Sequence, residues 1–389
     1  MNFKILIIHN ILWSHYKAVV FSELYKLARK EGYNVKVIHI AINEKGRKNL
    51  GEVDKSLHQY PYEVLFESSL EETTLILRIF KILKAVIKEK PDIIGIPGWN
   101  DFAYYAAALF AKLTGRKLIL QNDSTFLDRP RKWYKEIPKK IMTKFADAYW
   151  CYGSASKDYI IKLGASEERI FIRFQATFNQ EIEKVYIETL RNRENLKKEL
   201  FLKLKNFIYV GRLSYEKNIF QFLEIFKKIK ISEPKSADWG FIIVGDGLLR
   251  KEVEEFVKNN KLEKDIYLAG GMSWKEVPKY YALAEVFVLP SLSEPWGLVV
   301  NEAMVCDLPV IVSKKAGAYW DLVKEGENGF GFEPTNPDEL KSIMLKFIKE
   351  EVDIKKMGEK SKEIIKEYTP ENAAKQMFEA IKYIVGVKI

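Results

Sequence analysis

The stretch AEVFVLPSLSEPWGLVVNEAMVCDLPVIVS, residues 284–313, decides the fold. Two short apolar runs, VFVLP at 286–290 and PVIVS at 309–313, enclose a polar turn and a second apolar segment. Both runs are rich in Val and Ile and do not alternate with polar residues, which is typical of parallel strands that are covered on both faces. The stretch therefore predicts a strand, a turn, a helix and a second parallel strand.

The turn in this stretch has the features of an anion-binding site. Gly297 allows the backbone to approach a ligand closely, and the helix is predicted to run from Leu298 to Val305. The first amides of a helix lack intrahelical partners, and together with the helix dipole they attract a phosphate. Glu302 lies roughly 6 Å further along the axis on the same side, at ~1.5 Å per residue, which suits a ribose beside that phosphate. The alternative is an ordinary crossover in which Glu294 and Glu302 are only solvated.

Three further predicted strands end at the same rim. The strand at 206–210 runs into GRLSYEKN, the strand at 241–245 into GDG, and the strand at 266–271 into a glycine pair. In a doubly wound sheet, ligands bind beyond the carboxyl ends of the strands. Arg212 and Lys217 would therefore supply two cations to a bound diphosphate.

As a set, GRLSYEKN, VGDG, the strand at 284–290 and SEPWGLVVNEA resemble the retaining glycosyltransferases of family 4, within glycosyltransferase group 1. The match is close over residues 206–331 and rests on architecture elsewhere. The resemblance implies an α/β protein of the GT-B fold, with two Rossmann-like parallel-sheet domains that face each other across a cleft. It also implies that a nucleotide-diphosphate sugar, expected to be UDP- or GDP-linked, is the co-substrate, and no further cofactor is expected.

The resemblance also implies roles for individual residues. Glu302 would hold the ribose hydroxyls, and Glu294 would hold a sugar hydroxyl. The residues assigned to catalysis are Arg212, Lys217 and Glu294, with the two cations stabilising the leaving diphosphate. The residues assigned to donor binding are Gly211, Gly245, Gly297, Leu298, Val299 and Glu302. No Asp-x-Asp sequence occurs in the chain, so a metal-bridged diphosphate is not expected and no metal ligand is assigned.

Length and composition predict two domains. The 389 residues, of which 47% are hydrophobic, can form two sizeable cores. The predicted divisions are an acceptor-side domain at 1–178, a nucleotide-sugar domain at 179–369, and a last helix at 370–389 that crosses back to the first domain, as in the resembled family. The apolar N-terminal run is predicted to be a first strand rather than a signal peptide, and the two cysteines favour a reducing compartment.

The first domain departs from the resembled family at the rim where the acceptor would bind. The loop HNILWSHYK at 9–17 lacks the usual glycine pair and offers His15, Tyr16 and Lys17 instead. Where many relatives have a histidine, this chain has QNDST, so that Asn122 or Asp123 would take its place. The segment IPGWND at 96–101 adds two residues. They are Trp99 as a stacking face for a sugar ring and Asp101 as a carboxylate ligand, with core packing as the alternative for Trp99.

Positive charge is concentrated in the first half of the chain. Residues 1–175 hold 29 Lys/Arg and 19 Asp/Glu, whereas residues 176–389 hold 34 of each. The densest segment, at 128–144, combines basic and aromatic residues, which suits an anionic membrane surface. The residues assigned to this membrane patch are Arg129, Arg131, Lys132, Trp133, Lys135, Lys139, Lys140 and Lys144. An ordinary basic helix and a nucleic-acid surface are the alternatives, although no recognition motif supports a nucleic-acid partner.

These features predict a cytoplasmic glycosyltransferase, free or peripheral on the inner face of the membrane. It would transfer a hexose to a saccharide, free or lipid-linked, in the assembly of surface polysaccharide or glycolipid. One alternative is a sugar-nucleotide epimerase on the same fold, with Asp101 and Asp123 as acid–base groups. Another is a non-catalytic basic binder of membrane or nucleic acid. A nicotinamide dehydrogenase is disfavoured, because GDGLLR at 245–250 lacks the third glycine of G-x-G-x-x-G.

Overall fold

The computed structural model describes residues 3–45, 52–127 and 131–386, and the chain forms two compact units. Unit 1 comprises Met1–Ala176 together with Thr369–Ile389, and unit 2 comprises Thr177–Tyr368. The chain therefore leaves unit 1 once and returns to it with its last segment. The sequence analysis had placed these divisions at 178/179 and 369/370.

Unit 1 is built on a parallel sheet of seven strands in the order β3-β2-β1-β4-β5-β6-β7. The strands are β1 (Lys4–Ile11), β2 (Asn34–Asn43), β3 (Tyr62–Ser69), β4 (Ile93–Pro97), β5 (Lys117–Asn122), β6 (Ala148–Cys151) and β7 (Ile170–Ile172). The chain builds outward from β1 to β3 and then returns to the other side of β1 with β4. The direction of winding thus reverses between β1 and β4.

Helices cover both faces of this sheet. They are α1 (His15–Lys30), α2 (Leu75–Glu89), α3 (Phe102–Leu113), α4 (Trp133–Phe145), α5 (Ser154–Lys162) and the C-terminal helix α15 (Pro370–Val385). One core lies between the sheet and α1 with α15, and a second lies between the opposite face and α2, α3 and α4. The central strands are covered on both sides, which explains their nearly continuous apolar sequences.

Unit 2 is built on a parallel sheet of six strands in the order β10-β9-β8-β11-β12-β13. The strands are β8 (Lys205–Val210), β9 (Trp239–Val244), β10 (Ile266–Gly270), β11 (Val286–Leu289), β12 (Val310–Ser313) and β13 (Gly329–Phe332). The helices are α6 (Asn179–Leu190), α7 (Arg193–Glu199), α8 (Ile219–Ser232), α9 (Arg250–Asn259), α10 (Val277–Tyr281), α11 (Leu298–Val305), α12 (Gly317–Leu322), α13 (Pro337–Ile348) and α14 (Ile354–Ile365). Here the winding reverses between β8 and β11. The predicted doubly wound α/β architecture is confirmed in both units.

Several elements were not predicted from the sequence, and two strands and one helix show why. Strand β3 was not predicted, because its residues are half-exposed at the edge of the sheet and carry no buried run. Strand β13, Gly-Phe-Gly-Phe, was also missed, because alternate glycines give no apolar pattern. The segment 175–191 is polar and has no strand pattern, which predicts a link between the two domains, but it contains helix α6, which buries Ile182 and Tyr186 within unit 2.

Candidate active site

The candidate site of unit 2 lies where the winding of its sheet reverses. Strands β8 and β11 are neighbours there, with Phe207 beside Val286 and Ile208 beside Phe287. The loops that follow the two strands are joined, because the amide of Leu292 donates to the carbonyl of Glu216 at 2.8 Å. Side chains from two distant parts of the sequence therefore meet at the carboxyl ends of adjacent strands, which is the usual ligand position in such sheets.

Lys217 and Glu294 form an ion pair at this reversal. Each side chain keeps only 14% of its exposure, so the pair is held in a setting where charge interactions are stronger than in bulk water. Arg212, the second predicted cation, is different, because its side chain is 56% exposed and lies 3.3 Å from Glu216 on its own loop. The structure thus brings together Lys217 and Glu294 and leaves Arg212 at the surface of the same loop.

The turn between Glu294 and helix α11 is fixed by the segment that follows β12. The carbonyl of Glu294 accepts from the amide of Gly317 at 3.0 Å, and the carbonyl of Trp296 accepts from the amide of Ala318 at the same distance. Gly297 caps α11 with φ of 99°, and a Cβ there would lie 2.9 Å from Cδ2 of Leu289. The turn therefore requires glycine at this position, and its amides begin α11 beside Glu294.

Glu302 lies on α11 and accepts a hydrogen bond from the hydroxyl of Tyr281 at 3.1 Å. The same hydroxyl lies 3.3 Å from the carbonyl of Val299, one of the residues assigned to the donor. Burial raises the pKa of Glu302 to about 7, and the hydrogen bond from Tyr281 opposes that rise. Tyr281 was missed in the sequence analysis, because it ends the short helix α10 and belongs to no recognisable motif.

The glycines that follow β8 and β9 continue the backbone hydrogen bonding of the sheet past the ends of the two strands. The amide of Gly211 donates to the carbonyl of Val244 at 3.0 Å, and the amide of Gly245 donates to the carbonyl of Gly270 at 2.8 Å. A Cβ on Gly245 would lie 1.9 Å from the carbonyl oxygen of Gly211. The close approach of the two strand ends therefore explains Gly245. A Cβ on Gly211 would instead lie 2.9 Å from the hydroxyl of Tyr209 on its own strand.

Unit 1 has a polar cavity of about 250 Å³ at its own reversal, between β1 and β4. Three of the residues assigned to the acceptor line it, namely Tyr16, Lys17 and Asp123. Gln121 and Tyr152 also line the cavity. Nε2 of Gln121 is buried and has no hydrogen-bond partner among the described residues, so the cavity presents an unused donor.

Two buried cations lie beside this cavity. Lys17 is 2% exposed and donates to the Tyr152 hydroxyl and, at 3.3 Å, to Gln175. Arg173 is fully buried, lies 4.9 Å from the centre of the Tyr152 ring, and also donates to Gln175 at 3.1 Å. Burial, followed by the charge of Arg173, holds the pKa of Lys17 well below its ordinary value, while Asp123 opposes the shift. Arg173 was not singled out from the sequence, because nothing near it resembles a motif.

The other residues assigned to the acceptor have structural roles here. The ring of His15 packs on Trp13 at 4.8 Å, and Nε2 accepts from the amide of Asp54 at 3.3 Å. Trp99 is 7% exposed in the core under α2, α3 and α4, so it is not available as a stacking platform, and core packing is the correct interpretation.

Asp101 and Asn122 likewise serve the local backbone. Asp101 caps α3 by accepting from the amide of Ala103 at 2.9 Å and pairs with Arg78 at 2.8 Å. Asn122 is 1% exposed and donates to the carbonyls of Ser124 and Ser156, each at 3.0 Å. Of the two residues considered in place of the family histidine, it is Asp123 that lines the cavity.

The predicted membrane patch divides into exposed and inward-facing residues. Lys132, Trp133, Lys135, Lys140 and Lys144 are exposed. Two of the predicted members turn inward instead. Arg131 donates to the carbonyl of Thr125 and lies 4.4 Å from the centre of the Tyr159 ring, and Lys139 pairs with Glu136 at 2.8 Å. Arg129 lies outside the described residues.

The four histidines of the chain, which are scattered in the sequence, gather in unit 1. The ring centres of His9 and His39 are 5.6 Å apart, as are those of His39 and His58. Burial, followed by the neighbouring histidine in each case, lowers the pKa of His39 to about 3 and that of His58 to about 4. Within residues 3–45, 52–127 and 131–386, no group of three or more His, Cys, Asp or Glu side chains is arranged to hold a metal. The same part of the chain contains no helix long and apolar enough to cross a bilayer.

Comparison with known proteins relates the second half of the chain to sugar transferases. Residues 191–367 match the family model described as Glycosyl transferases group 1. A protein of Methanocaldococcus jannaschii named uncharacterized glycosyltransferase MJ1178 is 38% identical over 141 residues, which are 36% of this chain and 40% of that protein. The alpha-monoglucosyldiacylglycerol synthase of Acholeplasma laidlawii is 31% identical over 146 residues, which are 38% of this chain and 35% of that protein. The chain thus matches less than half of the length of each of these relatives.

Among solved structures, Anabaena Alr3699/HepE in complex with UDP is similar to the whole chain. The TM-score is 0.73 at 18% identity, and the alignment covers 98% of this chain and 100% of that chain. At this identity the similarity shows a shared fold of two Rossmann-like domains.

Proposed function

We propose that this chain, whose residues 191–367 carry the glycosyl transferases group 1 domain, transfers a sugar from a nucleotide-diphosphate sugar to a saccharide acceptor. The observation that carries the proposal is the meeting of Lys217, Glu294 and the first turn of α11 where the sheet of unit 2 reverses. A cation, a carboxylate and a helix N-terminus at one rim suit a sugar diphosphate, because the diphosphate is anionic and the sugar offers hydroxyl donors.

In the proposed reaction, the bond between the anomeric carbon and the diphosphate oxygen breaks, and the diphosphate leaves with the electron pair. Lys217 and the first amides of α11 stabilise the charge that develops on the leaving group. Glu294 accepts a hydrogen bond from a hydroxyl of the transferred sugar, and Glu302 holds the ribose. Arg212 is exposed on a loop next to this position and contributes more weakly. The acceptor oxygen forms the new bond to the anomeric carbon, and its proton passes to the departing diphosphate.

We infer that transfer proceeds without a metal ion and with retention of the anomeric configuration. The missing Asp-x-Asp sequence supports the first part, because the diphosphate then depends on protein cations. The resemblance to family 4 supports the second. No carboxylate nucleophile is assigned, since Glu294 and Glu302 are both placed on the donor rather than on opposite sides of the bond.

The acceptor is proposed to be a saccharide attached to a lipid. The Acholeplasma laidlawii relative is named alpha-monoglucosyldiacylglycerol synthase, and this name, which joins a sugar to a lipid, supports a lipid-attached acceptor by similarity. In unit 1, the cavity lined by Tyr16, Lys17 and Asp123 offers both donors and acceptors to a hydroxylated ligand. The proposed location is accordingly the cytoplasmic side of the cell membrane.

A donor panel tests the proposal. The purified protein is mixed in turn with UDP-glucose, UDP-galactose, UDP-N-acetylglucosamine and GDP-mannose, and melting temperature and nucleotide release are measured. One donor should raise the melting temperature and should release its nucleotide when an acceptor is present, with or without EDTA. NMR of the product should show an α-linked sugar from an α-linked donor. If activity disappears in EDTA and returns with Mn²⁺ or Mg²⁺, the metal-independent mechanism is wrong.

The same experiment separates the epimerase alternative. An epimerase would change the configuration of the sugar without an acceptor, and NMR would detect a new sugar or sugar nucleotide. Asp101, one of the two acid–base groups considered for an epimerase, caps α3 and pairs with Arg78, which disfavours that assignment. A non-catalytic binder would shift in melting temperature without releasing nucleotide in the presence of any acceptor.

A further inference from the structure

Large apolar side chains are exposed along three helices of unit 1. Ile76 of α2, Leu113 of α3 and Trp133 of α4 are respectively 79%, 77% and 77% exposed. The full set is Ile76, Leu77, Phe80 and Ile87 on α2, Phe102, Leu109 and Leu113 on α3, and Trp133, Tyr134, Ile137 and Ile141 on α4. A contiguous apolar surface of this kind usually marks a binding surface, whereas scattered single residues do not.

The exposed side chains form stripes on the outer side of one helical layer. Within each helix most of them recur after one or two helical turns, at spacings of three, four or seven residues, as in the series Ile76, Phe80 and Ile87. Helix α2 packs against α3, and α3 packs against α4. The inner sides of the same helices form the core with the sheet, through residues such as Ile82 and Met142. The three stripes therefore face away from the sheet, and we call them together the outer face of α2, α3 and α4.

The outer face is also strongly basic. The 40 residues of the three helices include nine Lys or Arg and only two acidic residues. Both carboxylates are occupied by partners, since Glu89 pairs with Lys36 at 2.7 Å and Glu136 pairs with Lys139 at 2.8 Å. The exposed cations of the three helices are Lys84, Lys88, Lys112, Lys135, Lys140 and Lys144. Apolar and cationic side chains thus share one surface on which the carboxylates are already neutralised.

The helical layer on the other side of the sheet allows the apolar exposure to be compared within unit 1. Helices α1 and α15 cover the other side of the same sheet, and both lie wholly within the described residues. Neither of these two helices exposes a large apolar side chain. The apolar exposure therefore belongs to one layer only, and a general excess of surface hydrophobicity does not account for it.

We propose that the outer face of α2, α3 and α4 docks unit 1 on a bilayer surface that contains anionic lipid. The apolar side chains enter the boundary between headgroups and acyl chains, the aromatic rings of Trp133 and Tyr134 lie at the headgroup level, and the lysines contact lipid phosphates. Lysine suits this position because its apolar stem follows the apolar surface while its ammonium group reaches the phosphates. A nucleic acid would use the cations and leave the eleven apolar side chains in water. The bilayer accounts for both features.

The outer face of α2, α3 and α4 is larger than the basic segment 128–144 that the sequence indicates. Helices α2 and α3 lie outside that segment and supply seven of the eleven apolar side chains. Docking does not depend on the proposed sugar transfer, and it is measured without any substrate. A negative result on membranes therefore bears on the proposed location and leaves the proposed sugar transfer untouched, and a failed donor assay leaves the docking surface untouched.

The test is co-sedimentation of the whole protein with vesicles of phosphatidylcholine, with and without phosphatidylglycerol, at low and high salt. The apolar variant is Phe80→Ser/Leu109→Ser/Ile137→Ser, with one exposed residue changed on each helix. Its matched control is Phe201→Ser/Ile231→Ser/Leu248→Ser, which removes three apolar side chains of unit 2 that are 90%, 79% and 85% exposed. The apolar variant should bind anionic vesicles at least about tenfold more weakly than the wild type, and the control should bind like the wild type.

A second pair of variants tests the charges. Lys84→Ser/Lys140→Ser/Lys144→Ser should weaken binding to anionic vesicles, and it should reduce the loss of binding that salt causes, because Coulomb attraction is screened over about 8–10 Å. The control Lys251→Ser/Lys258→Ser/Lys355→Ser removes three exposed lysines of unit 2 and should change neither. Circular dichroism and unchanged melting temperatures establish that each variant is folded.

Three results would overturn the proposal. In the first, wild type fails to pellet with anionic vesicles. In the second, each variant loses as much binding as its control. In the third, light scattering shows a dimer that the apolar variant breaks while vesicle binding stays unchanged, which would assign the outer face to a second copy of the chain.

Discussion

Lys217 and Glu294 neutralise each other in a setting where neither charge is well hydrated. Removing one partner of such a pair leaves the other charge without compensation. A single substitution therefore changes both catalysis and the stability of the fold, through the charge that remains. A bound sugar diphosphate would offer Lys217 a second anion and Glu294 a hydroxyl. The variants must therefore be compared as a set.

We expect Lys217→Ala to lower kcat about 10²- to 10³-fold, which corresponds to about 2.7–4 kcal/mol of lost stabilisation of the departing diphosphate. Arg212→Ala removes an exposed cation of the same loop and should cost no more than about tenfold. The double variant Lys217→Ala/Glu294→Gln removes the stranded carboxylate, and it should recover stability to urea without recovering kcat. Steady-state kinetics and urea unfolding make these measurements. Recovery of kcat in the double variant would reduce Lys217 to a structural partner of Glu294.

A second prediction concerns the protonation of Glu302, whose pKa is raised to about 7 by burial. Only the ionised carboxylate accepts hydrogen bonds from both ribose hydroxyls. Affinity for UDP-glucose should therefore rise roughly tenfold from pH 6 to pH 8, as the ionised fraction increases. UDP-glucose is the suitable probe, because its diphosphate is diesterified and does not titrate near neutral pH.

Calorimetry at several pH values checks this dependence, with Glu302→Gln as the control. The glutamine variant should bind more weakly at pH 8, by about 10- to 150-fold for a hydrogen bond to a charged group, and its affinity should not change with pH. A variant that retains the pH dependence of the wild type would place the titrating group elsewhere. The effect of Glu302 on folding stability runs in the opposite direction to its effect on affinity. Its raised pKa stabilises the folded state fully below about pH 4.5, and this contribution is lost as pH rises through about 7.

At the residue scale, the sequence identified the residues that belong to a motif and missed those that do not. Lys217 and Glu294 were found through the segments around them, and the structure brings them together. Tyr281 and Arg173 could not be found, because burial and hydrogen bonding assign their positions only after the chain has folded. For Trp99 the sequence left a sugar platform and core packing open, because an aromatic residue next to a glycine is compatible with both, and the structure shows a core residue.

At the scale of elements, prediction succeeded wherever a strand is buried on both faces. Strands β8, β9, β11 and β12 appear within about two residues of their predicted bounds, and α11 has its predicted bounds. Prediction failed for β3 and β13, each of which lies at one edge of its sheet. Strand β3 is half-exposed and therefore needs no apolar run, whereas β13 is mostly buried but alternates glycine with phenylalanine.

A third prediction concerns the ends of β8 and β9. Gly245→Ala should lower the free energy of unfolding of unit 2 by more than about 2 kcal/mol, because φ is 149° and a Cβ would lie 1.9 Å from the carbonyl of Gly211. Gly326→Ala is the control, since φ there is 75° and a Cβ would contact nothing within 4 Å. It isolates the cost of left-handed backbone, about 1–2 kcal/mol. Urea unfolding compares the two. Equal losses would show that the backbone at Gly211 yields to the added methyl group.

At the scale of the whole molecule, the gathered histidines make the stability of unit 1 depend on pH. The pKa values of His39 and His58 fall to about 3 and 4 in the folded state, and both are near 6.5 in an unfolded chain. Between about pH 4 and 6.5 the unfolded state therefore binds more protons, and stability falls as pH falls. The contribution is fully present above about pH 6.5 and decreases by about 1.4 kcal/mol per pH unit for each histidine.

Our fourth prediction is that the urea midpoint of unit 1 falls between pH 7.5 and pH 5.5, because all four histidines belong to unit 1. The midpoint of unit 2 should not fall, because the raised pKa of Glu302 makes a contribution of the opposite sign. Tryptophan fluorescence and circular dichroism follow the transitions. His58→Gln should reduce the pH dependence by the share of one histidine. If the midpoint of unit 1 is flat over this range, the folded and unfolded states bind the same number of protons, and the pKa values of the histidines are not lowered by folding.

The separation of unit 1 into two segments of the chain has a consequence for biosynthesis. Its core needs Ala373, Met377 and Ile381 of α15, which are fully buried, and Trp150 donates to the carbonyl of Met377 at 3.1 Å. During synthesis, residue 176 is added about 200 positions before these side chains. All of unit 2 is made in between, because it is one continuous segment of the chain. At about 5–20 residues per second, the nascent first segment waits roughly 10–40 s for its last helix. The first segment of unit 1 is thus made before unit 2 and completed after it. If synthesis stops early, this segment lacks α15, and the part of its sheet that α15 covers beside α1 stays exposed.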